Sequence, residues 1–195
     1  MYIKAVRLNG QTAFFHFQHT LGTFLKDNKS ITIFILNRKG DDMSKQKIEP
    51  EFIYHEFGFP IILRQVPMIE LRGVWTPDID FNVLQKVVLL ALSHHPVDLT
   101  GNQIHFIRMW LGLTQIEFGK LFGVTHPAVV KWEKTENKSS KISLSTQRDL
   151  RLFLLDQLLI KDEDFRKAFK TVHITKYTST IRYLEIDVPT DLIAI

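Results

Sequence analysis

Between Leu99 and Glu133 the apolar residues fall at helical spacing in three short runs, each closed by a punctuation residue. Ile104, Ile107, Arg108 and Leu111 share one face of a 3.6-residue period, which predicts a helix opening after Thr100 and ending at Gly112. Thr114-Gln115-Ile116-Glu117 is a capping-box sequence, in which hydroxyl and carboxylate each take the other's free amide. It opens a second short helix with Phe118 and Phe122 facing inward. Gly123 can take the left-handed conformation of a helix end. Val124 then plugs the core, and Thr125 can N-cap a third helix from His126 to about Glu133. Pro127 is tolerated there because the first turn has no hydrogen bond to lose.

Other parts of the chain follow different periods. Residues 52–75 alternate short apolar runs with Gly and Pro, which predicts a small antiparallel sheet. Asp80 is placed to N-cap a helix over 81–93. Val83, Leu84, Val87, Val88, Leu90, Ala91 and Leu92 cover too much of its circumference for one exposed face. Such a helix is buried on two sides or pairs with another subunit. His94-His95-Pro96 ends it. Ser145 can cap a helix reaching about Ile160, with Leu150, Phe153, Leu154, Gln157 and Leu158 along one side, and 162–172 makes a further helix presenting Phe165 and Phe169. Residues 174–188 alternate around Tyr177, Ile181, Tyr183 and Leu184, as a strand or hairpin whose open edge invites a second subunit.

At the start of the chain, 1–42 is Phe-rich, and Ser30–Leu36 reads as a strand. This stretch is either a small extra β element or an extension ahead of a start at Met43, after the turn or linker at 37–42.

Composition narrows the function classes. The 195 residues are 45% hydrophobic and 24% charged, a globular balance. Cysteine is absent, which removes disulfides and thiolate metal sites and is compatible with a reducing, cytoplasmic compartment. No apolar run approaches membrane-spanning length, and the start lacks a secretory pattern. Charge is uneven: residues 100–148 carry seven Lys and Arg against three Asp and Glu, a net +4 equal to that of the whole chain. A basic block of this kind suits the phosphates of DNA. Enzyme patterns such as HExxH, the phosphate-binding Gly-rich loop and GxSxG are missing. His94-His95 is the one tempting metal pair, but adjacent helical residues point apart, so no metal or cofactor is expected. His16, His19, His55, His105 and His173 have no ligand spacing and read as surface or satisfied core residues.

Gln115, Gly123-Val124-Thr125, Val129 and Trp132-Glu133 together resemble the signature of the Cro/repressor (XRE) helix-turn-helix family. Gly119 stands where that family usually has a small Ala, at the close approach of its second and third helices. The reading helix departs from the pattern in carrying His126-Pro127, and in having Val130 at an outward position. A small β module, a connecting helix and a Thr100-Gly101 entry are also similar to the layout of MqsA-type antitoxins, without their zinc-binding cysteines.

The resemblance implies an α+β chain. Its main part is a mainly helical repressor-like helix-turn-helix domain over 99–172, preceded by the extension 1–42 and by a small β module with connecting helix over 43–98. A strand segment over 173–195 would follow, and could serve dimerisation. Its function would be sequence-specific binding of double-stranded DNA by a homodimeric repressor, with 126–133 reading a palindromic operator. The alternative is an antitoxin that neutralises a cognate toxin by protein contact.

His126, Pro127 and Lys131 would then face the groove. Lys131 either donates to guanine or touches only phosphate, while Val130 either meets a thymine methyl or is merely exposed. Gln115 is placed for a phosphate, and Thr125 divides its hydroxyl between cap and phosphate. Lys134, Asn137 and Lys138 are general phosphate candidates. Arg108 and Glu133 are expected to pair out of water, with Trp132 in the core.

Overall fold

A computed structural model describes residues 3–8, 11–16, 45–158, 162–174, 177–178, 180 and 183–188. The strand expected over 30–36 and the linker at 37–42 lie outside the described residues. The structure is mixed α+β. Strands β1 (Ile3–Leu8) and β2 (Gln11–His16) pair as an antiparallel hairpin. A four-stranded sheet comprises β3 (Gln46–Tyr54), β4 (Ile61–Leu71), β5 (Val74–Pro77) and β6 (Leu184–Asp187).

β4 is the hub of that sheet. β3 runs antiparallel along one side of it. On the other side β5 takes residues 68–71 and β6 takes 61–64, the latter in parallel. The sheet begins six residues earlier than the apolar pattern predicts, because β3 is an edge strand whose first half is polar. Pro50 is tolerated there, since an edge strand need not donate every amide. Opposite Pro50, Gln65 has φ +55°, and β4 changes face at that point: Ile61 and Leu63 are buried before it, Val66 and Met68 after it.

Among the described residues six helices follow or flank the sheet: α1 (Phe81–His94), α2 (Gly101–Trp110), α3 (Gln115–Leu121), α4 (His126–Glu133), α5 (Leu144–Leu158) and α6 (Asp162–Ile174). Asp80 Oδ1 caps α1, accepting from the amides of Asn82 at 2.8 Å and Val83 at 3.2 Å. From Val87 to Ser93 every residue of α1 is buried. Leu90 packs on Leu155, Ala168 and Val172, while Leu84, Val88 and Leu92 join the core of the sheet. Of the two readings of this helix, burial on two sides is the one observed over Val87–Ser93, while Phe81, Asn82 and Lys86 in its first turns are exposed. The C-terminal strand, with an open edge expected to invite a second subunit, pairs one of its edges with β4 of its own chain. Among the described residues that strand covers Leu184–Asp187, and α6 takes Ile174, the first residue of the expected segment.

α5 departs from its prediction in two ways. The cap is Ser143, whose Oγ accepts from the Thr146 amide at 3.1 Å, and not Ser145. The inward face includes Arg151, wholly buried, whereas Gln157 is exposed. The Arg151 guanidinium donates to the carbonyls of Leu92, His95 (2.7 Å) and Val97 (2.7 Å), which closes the C-terminal end of α1. It also lies over the Tyr177 ring, 4.4 Å from the centroid. Burial lowers its pKa to about 10, so the group stays charged. The core runs without a break across position 98: Phe57 packs tilted and Phe59 edge-on against Phe106 of α2, at centroid distances of 4.8 and 5.5 Å. Among the described residues no helix is long and apolar enough to cross a membrane.

Candidate nucleic-acid interface

α3 and α4 are joined by a tight turn that local chemistry dictates. Thr114 Oγ1 accepts from the Glu117 amide at 3.3 Å, and Glu117 Oε2 accepts from the Thr114 amide at 2.8 Å, completing the capping box. The Thr114 amide and hydroxyl, both donating to its Oε2, hold the Glu117 carboxyl below its usual pKa. Gly123, at φ +64°, reverses the chain after α3, and the Val124 amide closes onto the Gly119 carbonyl at 2.8 Å. A Cβ on Gly119 would sit 2.8 Å from the Val124 carbonyl oxygen, so the turn presses closer than an alanine allows. Thr125 has the extended backbone of an N-cap, but its side chain makes no capping bond; α4 begins without one, with Pro127 in its first turn.

The base of α4 is locked to α2. Arg108 Nε donates to Glu133 Oε1 at 2.6 Å and Nη2 to Oε2 at 3.1 Å, a two-pronged pair with side chains only 9% and 10% exposed. Arg108 Nη1 also donates to the Leu113 carbonyl at 2.8 Å. Burial pushes the Glu133 carboxyl up. Hydrogen bonds from Arg108, Gln115 and His105, with the Arg108 charge, outweigh that and leave it lowered. Gly101 permits the approach: a Cβ there would lie 2.5 Å from the Trp132 carbonyl oxygen. Trp132 is half-buried against the core.

The anticipated interface residues fall into two groups. Thr125 at the N-cap, His126, Pro127 and Lys131 on α4, and Lys134, Asn137 and Lys138 after it are exposed. Val130 is half-buried, and Val129 beside it is wholly buried. Gln115 is engaged within the protein: its Nε2 donates to Glu133 Oε2 at 2.8 Å, and its Oε1 lies 3.3 Å from His126 Nε2. Asn137 Oδ1 accepts from Asn102 Nδ2 at 3.1 Å, so it serves the loop's anchorage. Ser140, buried, pins the same loop by donating its amide and Oγ to the Leu99 carbonyl at 3.0 and 2.6 Å.

Two contributors carried no sequence signal. His105 places Nδ1 3.1 Å from Arg108 Nη2 and 3.3 Å from Glu133 Oε2. Asn102 ties the β3–β4 turn to this region by donating to the Gly58 carbonyl at 2.6 Å. Each contact joins residues far apart in the chain or unlike in type, which periodicity does not register. Among the described residues no three His, Asp or Glu side chains gather as a metal site. No family model, curated protein or solved structure matches the chain.

Proposed function

We propose that the protein is a sequence-specific, double-stranded-DNA-binding regulator with a repressor-like helix-turn-helix, acting as a homodimeric repressor. The observation that carries the reading is α4 itself. Its inner side is fixed by Val129 and by the Arg108–Glu133 pair, while His126, Pro127 and Lys131 stand in solvent beside Lys134 and Lys138. A rigid helix with a basic outer face and a firmly held base is what major-groove reading needs. The net +4 of residues 100–148 supports the same reading through the phosphate backbone.

Eight residues of helix reach only a few base pairs, so two copies would share an inverted repeat, with half-sites about 34–36 Å apart. Gln115 bears on the mechanism differently from a simple phosphate clamp: to hold a phosphate it must leave Glu133 or use a backbone amide. The test is to recover genomic DNA bound by the full chain, and to titrate the enriched duplex against a scrambled one. Enrichment of an inverted repeat, bound more tightly than the scramble at every salt concentration, is expected. Equal binding of both duplexes would overturn the proposal.

A further inference from the structure

His126 is the first residue of α4, the helix assigned to the major groove under the proposed function, so any role for it in base recognition rests on that reading. The Glu133 carboxylate can only accept. The Gln115 atom 2.8 Å from its Oε2 is therefore the amide nitrogen, and this fixes which way the Gln115 side chain is turned. The amide oxygen, which also only accepts, then faces His126 Nε2 at 3.3 Å, so the His126 proton lies on Nε2. In the neutral ring Nδ1 is left as a bare acceptor, on an exposed side chain, and among the described residues no protein group bonds to it.

We propose that neutral His126 determines specificity by accepting, through Nδ1, an exocyclic base amine of the major groove, adenine N6 or cytosine N4, with Glu133 setting that tautomer through Gln115. An imidazole free of this relay would exchange its proton between the two nitrogens. It could then donate to guanine or to thymine O4 as readily as accept. The charged groups of the elements packed around α4 are Glu117 and Lys120 on α3, His105 and Arg108 on α2, and Lys131 and Glu133 on α4 itself. Of these, Glu133 reaches His126, through Gln115.

Two measurements on the full chain test this. Imidazole nitrogen-15 spectra of the unbound protein at about pH 8 should show the His126 proton on Nε2, and a tautomer mixture in Gln115→Leu. Selection from random-sequence duplexes should give a position in each half-site favouring A or C by roughly three- to tenfold. His126→Ala should abolish that preference. A tautomer mixture in the wild type, or a preference indifferent to His126, overturns the inference alone. Failure to select any duplex overturns the DNA reading and this inference with it.

Discussion

Replacing Glu133 by Ala leaves the Arg108 guanidinium nine-tenths buried without its carboxylate. Its remaining partners would be the Leu113 carbonyl and His105. Breaking a buried ion pair from one side costs about 3–5 kcal/mol, because the surviving charge keeps its desolvation penalty. Here the pair opens to solvent past His105, whose side chain is 52% exposed, which favours the lower end, about 3 kcal/mol. For a chain of this size each kcal/mol moves the midpoint by about 2–4 °C, so Glu133→Ala should lower Tm by about 6–12 °C. Glu136→Ala, on an exposed side chain three residues on, should change stability by less than about 0.5 kcal/mol.

The assay is thermal unfolding of the full chain, because the core crosses position 98 and the helical part has no boundary of its own there. The pH dependence carries a second check. Folding lowers the Glu133 pKa from its ordinary value of 4.5, so the pair's contribution is fully present above that value. It is lost as pH falls through the lower, folded-state pKa. The gap between wild type and Glu133→Gln should accordingly hold above pH 4.5 and close below it. Equal small shifts for the two Ala variants, or a gap indifferent to acid, would refute the buried pair.

Arg151→Met removes the donor of three buried carbonyls at the end of α1 and should cost about 2–4 kcal/mol, read as a lower urea midpoint; an unchanged midpoint would mean that those carbonyls are otherwise satisfied. Gly101→Ala drives a Cβ against the Trp132 and Glu133 carbonyls, so α2 must part from α4. The expected cost is about 1–3 kcal/mol in the same urea series, together with weaker duplex binding, whereas unaltered stability would place those backbones further apart. Lys131→Ala should weaken operator binding by about 1–3 kcal/mol and relax preference at one position, while Lys138→Ala should weaken all duplexes alike and reduce the salt slope by about one. Salt titrations on operator and scrambled DNA separate the two, and an equal loss on both duplexes for Lys131→Ala would move the reading surface elsewhere.

The parts of this fold governed by neighbours in the chain were legible from sequence. The Thr114–Glu117 box, the Gly123 reversal, the Asp80 cap and the ends of α2, α3 and α4 each depend on residues within four positions, where spacing and side-chain chemistry suffice. The over-apolar helix α1 declared that it needed cover on two sides, but periodicity cannot say whose surface supplies it. Packing answered with the sheet and with Leu155, Ala168 and Val172 of the same chain. The parallel seat of β6 beside β4 and the burial of Arg151 against α1 were equally invisible. Both join residues more than 50 positions apart, and a guanidinium reads as surface until its carbonyl partners are known. Gln115 shows the same division within the candidate interface. Its place at the head of α3 follows from the sequence, but the tertiary approach of α4 brings Glu133 and His126 to either end of its amide, and so decides what it holds.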